Sequence, residues 1–587
     1  MKNFYKAVLL YAALCFFSCK KPTLFEQVSS AHSGITFNNK ITESDSINPL
    51  DIVNIYNGGG VGIGDFNNDG LQDIYFTGNT VPNRLYINKG NFKFEDVTEK
   101  AGVGGMGRWG RGVSVIDINN DGLMDIYVCN TIYPDSNRRR NLLYINQGVD
   151  KDGIPHFKEM AKEYGLDINV QSTMATFFDY DNDGRLDMYL TVNEANEIYY
   201  PNVFGGNKIK GKNASQGRLY HNDWDPRLKH PVFHDVSAKA GINLQGFGHA
   251  ATIVDINRDG WKDIYVSNDF LSSDILYINN HDGTFTDRSK EYFKHTSFNG
   301  MGQDIVDINN DGLADVFELD MNPEDNYRKK MMMGANSYQN VLSLERFGYQ
   351  LQYVRNTLQL NQGPRMLQND SIGSPAFSEI AFMSGIAQTD WSWTPLITDF
   401  NNDGYRDVIV TNGFPKDVTD HDFITYRQDA FAGGSKQTVL SQIPSVKIHN
   451  YAFRNNGDLT FKDETDDWGL KIPTFSNGAV YADLNNDGAM DMVINNIDDE
   501  ALIYKNTARE KDTLNTNYIQ IKFKGDSNNL NGLGAWADIY YDHNKHQVAE
   551  NNPYRGYLST DQNIAHFGLG KVRQLDSVVI RWPNGKK

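Results

Sequence analysis

A chain of 587 residues with a formal charge of −18 and 40% hydrophobic residues can bury a large core, but it offers no basic surface for nucleic-acid phosphates. Three cysteines exclude a disulfide framework as the source of stability.

At the N-terminus, Lys2 and Lys6 precede an apolar run from Ala7 to Phe17 that is too short to span a bilayer and ends in Ser18-Cys19-Lys20-Lys21. This resembles a bacterial lipoprotein signal over residues 1–18, with lipid on Cys19. A plain secretory signal is the alternative. The expected location is the bacterial outer membrane or cell surface through that lipid anchor, or else the periplasm or medium. Removal of Cys15 and lipidation of Cys19 leave Cys129 alone, so no intrachain disulfide is expected.

From Asp65 onward, the word Asp-x-Asx-x-Asp-Gly-x-x-Asp occurs seven times. The side-chain oxygens come from Asp65, Asn67, Asp69 and Asp73; Asp117, Asn119, Asp121 and Asp125; Asp179, Asp181, Asp183 and Asp187; Asp255, Asn257, Asp259 and Asp263; Asp307, Asn309, Asp311 and Asp315; Asp399, Asn401, Asp403 and Asp407; and Asp483, Asn485, Asp487 and Asp491. A calcium ion takes about six to eight oxygens at roughly 2.3–2.6 Å, and a short loop with glycine at position six can curl several around one point. All 28 residues are candidate metal ligands, with Ca2+ as the cofactor at up to seven sites. EF-hands share the opening but need a Glu at position twelve. That position holds Phe76, Val128, Leu190, Val266, Glu318, Val410 and Ile494, and the flanks read as strands. Metal-free Asp-Gly turns would leave clustered carboxylates to repel one another, whereas seven divalent cations would cancel most of the −18.

Each loop is followed by Leu-Tyr-x-Asn or a relative, at Leu85-Tyr86-Ile87-Asn88, Leu143 to Asn146, Leu219 to Asn222, Leu276 to Asn279, Leu358 to Asn361, Ala452 to Asn455 and Ile503 to Asn506. A Phe-x-acidic signature follows only six times, at Phe94, Phe157, Phe233, Phe285, Phe377 and Phe461. The missing copy is at the N-terminus, Phe25-Glu26-Gln27-Val28. Four strands per repeat, with this segment completing the seventh, predict an all-β seven-bladed propeller closed by its N-terminal strand. Insertions extend from about Asn193 to Gly217, Asn322 to Arg355 and Phe414 to His449. They are either binding loops or solvated decoration. Trp109, Trp391 and Trp393 lie just before Asp loops, where they either stack on sugar rings or pack between blades.

These signatures resemble FG-GAP/VCBS repeats, the unit of the integrin α-subunit propeller, over residues 25–506. A further segment is similar to the ASPIC/UnbV domain, through Asn531-Gly-Leu-Gly-Ala535, Gly556-Tyr557-Leu558-Ser559, His566-Phe567-Gly568-Leu569-Gly570 and Arg581-Trp582-Pro583-Asn584-Gly585. The pairing is typical of the cartilage acidic protein family and of bacterial surface lipoproteins. It implies a propeller over residues 19–506 and a small β domain over 507–587, expected to be incomplete. His566 reads either as catalytic or as a packed turn residue. No His-Glu-x-x-His, Gly-x-Ser-x-Gly, zinc-spaced cysteine pair or phosphate loop is present. The leading expectation is a non-enzymatic calcium-binding scaffold for polysaccharide or an envelope protein, with no nucleic acid partner and membrane contact only through Cys19. The alternative is a propeller lyase or hydrolase acting on polysaccharide, with its site in the central channel or the insertions.

Overall fold

The computed structural model describes residues 22–194, 215–332, 337–367, 371–430 and 435–587. The signal segment, Cys19 and most of the first insertion lie outside the described residues. The first repeat forms the strands Val61–Gly64, Asp73–Phe76, Arg84–Asn88 and Phe94–Asp96, all antiparallel and in chain order. Five further sheets repeat that order, four of them with four strands and one with a fifth strand, Met321–Asn322, added beside Asp390–Thr398. The seventh has Ser476–Ala482, Asp491–Asn496 and Leu502–Asn506, and its fourth strand is Phe25–Val28 from the N-terminus.

The innermost strand of each sheet touches that of the next, and the seventh touches the first, so the sheets close into a ring. The molecule is a β-propeller. Inner strands are buried on both faces, and accordingly they read as near-continuous small and apolar runs such as Val113-Ser114-Val115-Ile116. The Asp loops join the first and second strands of each sheet, which puts all seven on one face of the ring. Apolar residues at positions two and ten anchor them: Phe66, Ile118, Tyr180, Ile256, Ile308, Phe400 and Leu484 are buried, as are their partners from Ile74 to Met492.

Closure of the ring depends on a short strand. Phe25 pairs in register with Asn506 and Val28 with Ile503. The Phe25 ring meets Phe400, Trp468 and Tyr504 at centroid distances of 5.6, 6.1 and 6.4 Å, so it joins the sixth sheet to the seventh.

The C-terminal segment forms a two-stranded sheet, Asn517–Ile521 with Ala565–Gly570, and a three-stranded sheet in which Trp536–Tyr541 lies between Lys545–Glu550 and Leu575–Arg581. Alternation puts Phe523, Ala537, Ile539, Tyr541, Phe567 and Leu569 into one apolar core. This small β unit sits on the Asp-loop face. Between its strands, residues 553–562 dip into the central channel of the ring. Gly556 exchanges backbone hydrogen bonds with Gln303 at 2.9 and 3.2 Å, Leu558 accepts from Val113 at 3.0 Å, and Thr560 is bonded to Val61 and Ile63. At the tip, the buried Tyr557 stands 5.1 Å from Trp393, and its hydroxyl donates to the Asn57 carbonyl at 2.9 Å. A side chain at Gly60 would collide with the Leu558 carbonyl at 1.8 Å, so only glycine admits this hairpin.

The second and third insertions are partly helical, with helices Asn326–Met331, Tyr338–Phe347, His421–Ala430 and Lys436–Ser441. Arg328 ties them to the ring by donating to Asp390 at 2.9 and 3.2 Å and to Asp417 at 3.1 Å. Trp109, Trp391 and Trp393 are buried, so they pack within the fold and are not free to stack on sugars. Among the described residues, no helix is long and apolar enough to cross a membrane.

Phe25→Ala removes the ring that seals the last sheet, and it is expected to lower the unfolding free energy by about 3–5 kcal/mol in a denaturant titration.

Candidate metal centres

In each loop the position-one aspartate accepts twice from the turn it opens. Asp65 takes the N–H of Asp69 at 3.0 Å on Oδ1 and that of Gly70 at 2.9 Å on Oδ2. The same pair recurs in the other six loops, through Gly122 and Gly488 at 2.9 Å for example. The position-five carboxylate accepts the N–H of position seven, as Asp69 does from Leu71 at 2.9 Å. These bonds use one lone pair on each oxygen and gather the carboxylates round a common centre. In the third loop, one oxygen each from Asp179, Asp181 and Asp187 lie within 4.8 Å of one another, and Asp181 Oδ1 is buried with no hydrogen-bond partner. The acidic clusters can hold a metal ion, and an all-oxygen donor set fits a hard cation. His221 is an exception, its Nε2 lying 3.3 Å from Asp181 Oδ2 and its Nδ1 3.2 Å from Asp223.

Position nine has a second task beyond any ligation. The Asp73 oxygens accept the N–H of Phe66 at 2.9 Å and of Asn88 at 2.8 Å. Asp125, Asp187, Asp263, Asp315, Asp407 and Asp491 repeat both bonds. Each of these buried side chains therefore fixes its loop to the third strand of its own sheet.

Desolvation raises the pKa of every position-one aspartate, and the neighbouring carboxylates add to the effect. Asp117 is pushed up to about 6 and Asp179 to about 7, against the N–H bonds that oppose the shift. All seven position-nine groups are pushed well above the usual range, chiefly by burial.

Two sets of residues in the repeat carry more than the sequence reading gave them. The asparagine of Leu-Tyr-x-Asn joins neighbouring sheets: Asn146 donates to Met124 O at 3.2 Å in its own sheet and to Phe66 O at 2.9 Å in the previous one. Asn88, Asn279, Asn455 and Asn506 do the same. Position four adopts positive φ in every loop, from 55° at Asn68 to 61° at Asn310, a conformation that asparagine tolerates best after glycine. In five loops the side-chain amide of this asparagine reaches the position-six carbonyl of the next loop, as from Asn486 to Gly70 and from Asn402 to Gly488. Recurrence of the asparagine in all seven copies was the available signal for the first role.

His566 lies in a strand, not a turn. Its Nε2 is 2.7 Å from Asn402 Oδ1, and burial lowers its pKa to about 3, which keeps the ring neutral. The geometry supports the packed reading of this residue over the catalytic one.

Comparison with known families agrees with this architecture. The FG-GAP-like repeat model matches residues 65–128 and 255–318, and the ASPIC and UnbV model matches 525–587. The chain carries FG-GAP-like repeats and an ASPIC and UnbV domain. It shows weak homology to cartilage acidic protein 1, with 27% identity over 217 residues to the Xenopus tropicalis protein and 26% over 223 residues to the Homo sapiens one. Each match covers 37% of this chain and 29% of the relative's length, so the chain spans less than a third of those relatives. Two solved structures, rhamnogalacturonan lyase YesW and exotype rhamnogalacturonan lyase YesX, align with 77% of this chain and 72% of theirs, with TM-scores of 0.35 and 0.36 and identities of 13% and 12%.

Asn146→Ala leaves the buried carbonyls of Phe66 and Met124 without their side-chain donor and should cost roughly 3 kcal/mol in chemical unfolding. Asn222→Ala should cost less, because Asn222 donates to Leu186 O alone and its Oδ1 has no partner. A second outcome concerns pH. Because the folded pKa values of the loop carboxylates are raised, the metal-free fold binds protons more tightly than the unfolded chain and gains stability as pH falls from about 7 toward 4. A bound cation reverses the sign, since its ligands must be deprotonated. The rise in Tm produced by a divalent cation should be full above about pH 7 and shrink as pH falls through 6, in paired melts with and without chelator.

Proposed function

We propose that this protein is a calcium-binding cell-surface lipoprotein whose propeller serves as a rigid scaffold for binding an acidic polysaccharide of the cell envelope or its surroundings. The aspartates at positions one, three, five and nine, with asparagine at position three in six loops, would hold the ion, which would neutralise the clustered carboxylates and lock the turns. Anchoring through Cys19 follows from the N-terminal segment.

The observation that carries the scaffold reading over the enzymatic one is the filled channel. An enzyme with its site in the central channel would need that space open, and here Tyr557 and its hairpin occupy it. Binding would therefore fall on outer surfaces. A groove of about 470 Å3 between the fourth Asp loop and the C-terminal unit is lined by Arg258, Lys262, Trp536, Arg581 and Trp582. Arg258 replaces the asparagine present at position four of the other six loops. Lys262 and Arg581 are already paired with Glu550 and Asp538, so of these cations Arg258 is left to pair with a sugar carboxylate, beside indole rings on which the sugar could stack.

The test is a glycan panel scored both for binding and for new reducing or unsaturated ends. Uronate-containing oligosaccharides should bind without being cleaved, Arg258→Ala with Trp582→Ala should weaken binding at least tenfold, and neutral glycans should not bind. Product formation from any glycan would favour the lyase or hydrolase reading. For the metal, element analysis of folded protein should find calcium, and chelation should lower Tm by a clear step that added calcium restores. A melting curve indifferent to chelator would reject the calcium sites.

A further inference from the structure

The C-terminal unit reaches the sixth and seventh loops at their position-one carboxylates, whereas its contacts with the second, fourth and fifth loops fall on Asn120, Lys262 and Gly312. In the seventh, Gln520 Nε2 donates to Asp483 Oδ2 at 2.9 Å, and Gln562 accepts the Asp483 N–H at 2.8 Å. The Tyr518 ring lies so close over Gly488 that a Cβ there would meet it at 1.8 Å. In the sixth, a Cβ on Gly568 would stand 1.9 Å from Asp399 Oδ2, so glycine alone lets the strand rest on that carboxylate. Gly570 N–H donates to Asn402 O at 2.8 Å, and His566 bonds the Asn402 side chain. Asp399 and Asp483 are buried, as are Asp117, Asp255 and Asp307; what distinguishes the first two is the C-terminal strand resting on the carboxylate itself.

We propose that loops six and seven are interdomain cation sites, in which filling the site and docking the C-terminal unit are one linked equilibrium. The inference rests on the reading of the loops as calcium sites. Laying a neutral strand over a buried carboxylate with further carboxylates in its loop strips water from negative charge, which is costly unless that charge is cancelled. A divalent cation cancels it. The cover in turn excludes water from the cation and strengthens its attraction to the ligands. Coupling of this kind is reciprocal: the factor by which docking raises cation affinity equals the factor by which the cation favours docking. Gln520 and Gly568 are positioning residues here, acting through Asp483 and Asp399.

The test uses the full chain with calcium alone as ligand. Hydrogen exchange of the Ala565–Gly570 amides should be slow with calcium and fast after chelation, and slow again on refilling. Gly568→Val, which forces the strand off Asp399, should weaken calcium binding about tenfold at two sites and leave the rest unchanged in a calorimetric titration. Gln520→Ala, which spares the apolar core of the unit, should do so at one site. Asp69→Asn in the first loop should lose one ion without loosening the unit. If the wild type binds no calcium, the underlying reading fails. If it binds calcium but exchange at Ala565–Gly570 ignores the ion, or the two variants leave every affinity unchanged, the linkage alone is overturned.

Discussion

The constraint on which this fold depends is the double hydrogen bond accepted by the aspartate at position nine of each loop. Asp125 holds the N–H of Ile118 in its own loop and that of Asn146 on the adjacent third strand. The residue it fixes, Asn146, then donates across to Phe66 of the previous sheet. One buried carboxylate thus sets the loop, orders the third strand and presents the amide that joins two sheets. In five of the seven sheets the arrangement is complete, and each residue serves its own buried groups: without the aspartate two backbone N–H groups go unpaired, and without the asparagine two carbonyls lose their side-chain donor.

That design collects negative charge. Each loop gathers at least three carboxylates, and burial pushes the deepest far above the usual range. Protonation offers one escape and a cation the other. At neutral pH the second is open because the turn has already oriented its oxygens, so little ordering remains to be done when an ion arrives. The same preorganisation makes the loops poor general acids or bases, since their oxygens are committed to backbone N–H groups.

Much of this was legible in the sequence because it is periodic. Seven copies of one loop, seven of Leu-Tyr-x-Asn and six of Phe-x-acidic required a strand from the N-terminus, and Phe25 supplies it. What the sequence hid has no period. The hairpin around Tyr557 occurs once, in a segment legible only as a small β unit, and nothing in Gly556-Tyr557-Leu558-Ser559 states that its backbone will pair with Gln303, Val113 and Val61. Likewise Arg328 and Asp417 belong to separate insertions, and only the folded ring brings both to Asp390. Position four was overlooked for another reason: asparagine there reads as an ordinary loop residue until its φ is known to be positive.

The filled channel also changes what the propeller can be for. Residues 53–57 form a short turn whose Asn54 reaches Asn193 at 3.0 Å, and the Asn57 carbonyl receives the Tyr557 hydroxyl, so a segment preceding the first sheet meets the C-terminal hairpin at the tip of Tyr557. On the loop side, Arg555 pairs with the buried Asp304 at 2.7 Å and locks the hairpin to the fifth sheet. An ion pair removed from water is costly to break by halves, so the hairpin cannot leave the channel without exposing Asp304 to an apolar wall or opening the interface above it. Access to the axis is therefore bound up with release of the whole C-terminal unit, which leaves open, among the described residues, the rims and the seam where Arg258 and Lys262 of the fourth loop meet the indoles of that unit.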